Sequence, residues 1–108
     1  MANTFKNYTQ KAIGTSPTTL YTAPSATQTT VIGMSISNVS TSPVDISVGL
    51  GTGGSTVWLV KDATVAPGGS LIPIGGDQKL VLEATDTLVA NASVASTADV
   101  IVSVLEIA

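Results

Sequence analysis

The stretch Ala98-Asp99-Val100-Ile101-Val102-Ser103-Val104-Leu105-Glu106-Ile107 constrains the fold most. Successive side chains of a strand point to opposite faces, so Val100, Val102 and Val104 share one face, and Ile101, Leu105 and Ile107 the other. Both rows are apolar, whereas a strand with one wetted face alternates apolar with polar residues. This strand is therefore expected in the middle of a sheet, with one face on the core and the other against a further layer or a second subunit. The β-branched row is the more uniform, which assigns Val102 to the core and Leu105 to the contact.

The other apolar stretches read as strands that surround it. Thr18 to Thr22 is a short β-prone run closed by Pro24, which fixes φ and cannot extend a ladder. Val31 to Val39 alternates, with Ile32, Met34 and Ile36 on one face and Gly33, Ser35 and Ser37 on the other. Val44, Ile46, Val48 and Leu50 repeat the pattern, and the break at Ser40–Pro43 suggests that the two runs form an antiparallel pair. Leu71–Ile74 carries Pro73 and reads as an edge strand. Gly75-Gly76-Asp77 is a turn, and Lys79–Glu83 and Leu88–Val94 are further strands. Turn signals recur throughout with no helical period, which predicts an antiparallel β-sandwich of jelly-roll or Ig-like type with about eight strands. The 108 residues suffice for one domain. Residues 12–108 are assigned to the sandwich and residues 1–11, polar apart from Phe5 and Tyr8, to an N-terminal arm whose aromatics could dock on a neighbouring subunit.

Composition removes most chemistry. The chain has no histidine and no cysteine, so neither a Ser-His-Asp triad, a thiol nucleophile nor a His- or Cys-ligated metal can be assembled. The acids Asp45, Asp62, Asp77, Glu83, Asp86, Asp99 and Glu106 are scattered and read as solvated turn and edge residues. No catalytic, cofactor or metal residue is assigned. Four lysines, no arginine and a net charge of -3 argue against nucleic acid as a partner. No apolar run is long enough to span a membrane as a helix, and the first residues lack the blocks of a signal peptide, so a soluble protein made in the cytoplasm is expected. With four aromatic residues in all, the core must be aliphatic, which suits a thin sandwich better than a wide ligand cavity.

Two local patterns have ordinary explanations. Gly49–Thr56 is rich in glycine, but strand rather than helix follows it, so a hairpin loop is expected and not a phosphate cradle. The Asn-x-Ser/Thr triplets at Asn7, Asn38 and Asn91 are chance matches in a chain rich in Ser and Thr. Trp58 reads first as a packing residue and second as a contact or sugar platform.

Several segments carry a resemblance. Met1–Asn7, Leu20-Tyr21-Thr22-Ala23-Pro24-Ser25-Ala26, Val31-Ile32-Gly33-Met34 with Ser37-Asn38, Leu59-Val60-Lys61-Asp62-Ala63 with Pro67–Leu71, Lys79–Ala84 and Ser103–Ile107 resemble small virion proteins of tailed phages, notably of marine and cyanobacterial hosts. The resemblance consists of strand and turn consensus. It implies a non-enzymatic virion structural protein made in the bacterial host and leaves head or tail open; a compact, neutral-to-acidic surface with an arm makes a capsid decoration (cement) protein the foremost expectation. Its partners would be itself, as a homo-oligomer such as a trimer, and the major capsid protein or other virion proteins. A tail accessory or fibre-attachment protein is the alternative, and a carbohydrate-binding or adhesin domain the rival from another class. The residues expected at contacts are Phe5, Tyr8, Trp58, Ile101, Leu105 and Ile107.

Overall fold

Aliphatic alternation becomes nine strands in a computed structural model, which describes residues 3–75 and 78–108. They are β1 (Asn3–Gln10), β2 (Thr18–Thr22), β3 (Gln28–Asn38), β4 (Val44–Thr52), β5 (Ser55–Val65), β6 (Ser70–Ile74), β7 (Leu80–Leu82), β8 (Thr87–Ala92) and β9 (Ala98–Ile107). One sheet runs β1-β9-β3-β6, with β7 also on β3, and the other β2-β8-β4-β5. All pairings are antiparallel.

This order follows from one long hairpin. The chain turns at Gly53 and Gly54, both at positive φ, a conformation that glycine adopts without a Cβ penalty. Counting outward from that turn, β4 meets β5, β3 meets β6 and β7, β2 meets β8, and β1 meets β9. Wrapping the double ribbon on itself then sets β9 beside β3 and β8 beside β4, which is the two-sheet jelly roll. The core between the sheets is aliphatic, with Val31, Ile36, Ile46, Val48, Ile74, Leu82, Leu88, Val100, Val102 and Val104 fully buried.

The long last strand is central, flanked by β1 and β3, as its two apolar rows require. Pro73 lies on β6 at a sheet edge, also as expected. Three expectations are corrected. Ser40–Pro43 does not close a hairpin, because β3 and β4 belong to different sheets and the loop carries the chain across the sandwich. A register shift between Val31 and Gly33 turns Ile32 away from Met34 and Ile36, so Val31 takes the core position and Ile32 is half-exposed. Glu106 is not a solvated edge residue but a buried one.

The arm expected over residues 1–11 is, over residues 3–10, a strand laid along β9 at the end of its sheet. Met1 and Ala2 lie outside the described residues. So do Gly76 and Asp77, and the turn expected there is seen at its flanks, where Gly75 and Gln78 exchange backbone hydrogen bonds.

Candidate assembly surface

The outer face of the larger sheet collects apolar side chains that the domain itself does not cover. In β9 the pairing with β1 is regular from Val100 to Ile107, so parity is kept: Val100, Val102, Val104 and Glu106 point inward, and Ile101, Leu105 and Ile107 outward. Phe5 stands opposite Leu105, Leu105 opposite Thr30, and Thr30 opposite Val81. That cross-strand row spans four strands. Phe5 is 73% exposed and Ile101 54%, while Leu105 and Ile107 are half-buried. Between Phe5 and the bulge, Ile32, Asn7 and Ser103 line a shallow depression. Single exposed hydrophobes are ordinary on protein surfaces, but several of them share this one face, with Asn7 and Ser103 between Phe5 and Ile101, which makes it the candidate surface.

Of the six expected contact residues, the fold thus brings Phe5, Ile101, Leu105 and Ile107 onto one face. Tyr8 is on the opposite side of β1 and packs edge-to-face on Tyr21, with ring centroids 4.8 Å apart. Trp58 is on β5 in the other sheet, paired with Gly49. It is 36% exposed rather than core, because β5 is an edge strand and a bulged register surrounds this position. Its ring closes over Gly49, where an added Cβ would come within 3.0 Å of Cε3, and Lys61 Nζ lies 5.1 Å from its centroid. Val81 and Ile32 were not among the expected contact residues. Val81 had a signal, since Leu80-Val81-Leu82 is apolar on both faces like β9. Ile32 had a weak one, since the isolated Gly33 beside it inside a strand pattern can mark the bulge that exposes it.

Behind this face lies a small polar cluster. Glu106 continues the inward parity of the valine row and is 7% exposed. Its Oε2 accepts a hydrogen bond from the Tyr21 hydroxyl at 2.5 Å, and its Oε1 pairs with Lys6 Nζ of β1 at 3.0 Å. Tyr21 spends its proton on the carboxylate, so the Thr29 hydroxyl, 2.8 Å away, donates to Tyr21. A buried charge met in this way is tolerated because each of its oxygens is engaged.

The bond from Tyr21, together with Lys6, holds Glu106 below its ordinary 4.5 despite the opposing effect of burial. Burial, and then the bond to Glu106, push Tyr21 up to about 12, and Glu106 raises Lys6 above 10.5. A depressed carboxyl stabilises the fold above its unfolded value and loses that contribution as pH falls through the folded one. The two raised groups contribute below their unfolded values and lose it as pH rises toward the folded ones. Thermal stability should therefore fall below about pH 4.5 and again above about pH 10. Glu106→Gln should flatten the acid limb, read as Tm against pH; an unchanged acid limb would remove Glu106 as its source.

The other acids among the described residues stay apart. Asp86 Oδ2 accepts from the Glu83 amide and closes the turn into β8, and Asp45 accepts from the Thr64 hydroxyl across β4 and β5. The glycine hairpin and its neighbours Thr52, Ser55, Thr56, Thr85 and Thr87 present no charged group for a phosphate. Among the described residues no three acids gather as metal ligands would.

No protein-family model and no curated protein matches the sequence. Solved structures share the fold. A chain from the Bacillus endospore appendages, described as disulfide-linked pili, aligns with a TM-score of 0.58 at 14% identity, over 97% of this chain and 85% of that one. A chain of the T13 IBDV viral particle aligns with a TM-score of 0.54 at 13% identity, over 96% of this chain and 30% of that one. A pentameric capsid protein from metagenomic phage sequences aligns at 20% identity and a TM-score of 0.43, over 94% and 59% of the two chains. For the first two, at these identities, the likeness is one of fold.

Proposed function

We propose that this chain is a non-enzymatic structural protein of a phage virion, foremost a capsid decoration protein that binds the major capsid protein and further copies of itself. The observation that carries the reading is the apolar row Phe5, Leu105 and Val81 with Ile101 and Ile107 on an open sheet face. Burying such side chains is worth roughly 1.5 to 3 kcal/mol each, a gain that is available only against a second surface. The two-Greek-key sandwich supports the reading, since viral capsid domains are among its common uses, though folds host many functions. The likeness to the IBDV particle chain points the same way.

A tail accessory or fibre-attachment role is the nearest alternative. The likeness to the spore appendage chain favours a second reading, a subunit of a filament, because it extends over most of both chains. Particle reconstruction separates them. Density for this chain over capsomer junctions is the expected result; density confined to the portal or tail, or to filaments separate from any particle, would overturn decoration.

A further inference from the structure

We propose that β1 is exchanged between copies, the strand of one chain adding to the β9 edge of another. The inference rests on the assembly reading above and names the segment that links the copies.

In the single chain, β1 is a strand laid on the outside. All of its side chains are exposed except the half-buried Tyr8, and among the described residues its ladder runs to β9 alone. What holds it is the ladder itself, the Lys6–Glu106 ion pair and the Tyr8–Tyr21 ring contact. Every one of those partners belongs to the body of the domain, to β9 or β2. A second copy presents the same β9 edge, the same buried carboxylate and the same tyrosine, so an incoming β1 would meet identical bonds. The acceptor is selective as well as sticky. Glu106 is a buried negative charge, and Lys6 is the residue that answers it from β1.

The hinge is where closed and exchanged forms differ. Ile13 is buried and fixed on both sides, its amide donating to the Ala98 carbonyl and its carbonyl accepting from the Ser96 amide. Between the last ladder pair, Gln10 with Val100, and this fixed Ile13 the chain passes only Lys11 and Ala12, so a change in the direction of β1 must be made there. Ala12 sits at φ 57°, in the left-handed region that a Cβ disfavours, and is kept there by a hydrogen bond from its amide to Asp99 Oδ1 at 2.8 Å. A hinge that opens to an extended conformation sheds this strain without losing a β1 contact. Short strained hinges favour exchange of an element between copies for this reason.

The chain has no cysteine, which makes the test direct. Asn7 and Ser103 face each other across β1 and β9. An Asn7→Cys chain and a size-tagged Ser103→Cys chain would be co-expressed, oxidised and run without reductant, with the Asn7→Cys, Ser103→Cys double variant verifying that the pair can close. Exchange predicts a mixed disulfide dimer as the main cross-linked species. Ala12→Gly, which accepts the closed turn freely, should lower its yield about fivefold, corresponding to about 1 kcal/mol of relieved strain. Ala12→Pro, which cannot adopt a positive φ and lacks the amide hydrogen, should raise it. Sedimentation of the same samples separates the failures: an oligomer without the mixed disulfide would overturn exchange alone, and a monomer at all concentrations would overturn the assembly reading with it. Because Asn7 and Ser103 also lie on the outer face, a mixed dimer whose yield ignores both Ala12 variants would overturn exchange in favour of two outer faces packed on each other.

Discussion

A Val102→Asp chain is expected not to fold. Val102 is 1% exposed and lies in the middle of the central strand, between Tyr8 on β1 and Met34 on β3. Its neighbours along the inward face, Val100 and Val104, offer no hydrogen bond, and the ring of Tyr8 is held edge-to-face on Tyr21. Lys6 is already committed to Glu106, so the new carboxylate would be desolvated without compensation. Penalties of this kind exceed about 4 kcal/mol, a large part of the roughly 5 to 15 kcal/mol by which domains of this size are stable. Circular dichroism should show no cooperative thermal transition. A transition within a few degrees of that of the parent chain would mean that Val102 is not in a closed core.

Asn38→Ala should be the next most damaging single change. Nδ2 of Asn38 donates to the Ser42 and Val65 carbonyls at 2.9 and 3.0 Å, and Oδ1 accepts from the amide and hydroxyl of Ser40 at 2.9 and 2.7 Å. One buried amide thus ties β3, the crossing loop and the end of β5 together. Truncation removes all four bonds and leaves the Val65 carbonyl and the Ser40 amide to find other partners. At a net value near 1 kcal/mol per bond the loss of four is about 4 kcal/mol, and Tm should fall by roughly 20 °C. Asn38→Asp keeps the acceptor and loses the donors, so it should fall in between. A change of under about 1 kcal/mol for Asn38→Ala would show that the loop crosses the sandwich without this anchor.

The same residue shows why part of the fold was legible in the sequence and part was not. The apolar alternation of β3, β4 and β9 is a local property, and it located those strands and the core face of β9 directly. Which strands pair is not local. Ser40–Pro43 has the composition of a hairpin turn, and only the membership of β3 and β4 in different sheets reveals a crossing, which Asn38 anchors through Ser42 and Val65. Ile32 was misassigned because a bulge displaces parity by one residue, although the isolated Gly33 inside the strand pattern is the kind of residue that marks one. Glu106 was readable in principle, since it continues the valine row by two. Its partners, Lys6 and Tyr21, come from β1 and β2, far away in the chain, so its burial could not be judged without them. The apolar outer face was legible where both faces of a strand were apolar, at Ile101, Leu105 and Ile107. Trp58 followed a compositional expectation about rare tryptophans and proved to cover a glycine on the other sheet.

The central claim is that the outer face of the β1-β9-β3 sheet joins copies of the chain or docks them on a particle. Leu105→Asp tests it most directly, because Leu105 is half-buried on that face, opposite Phe5, and makes no part of the inner core. Sedimentation velocity beside circular dichroism should show a folded Leu105→Asp chain, with its thermal transition retained, that sediments as a monomer at concentrations where the parent chain assembles. A Leu105→Asp chain that folds and assembles like its parent would contradict the claim.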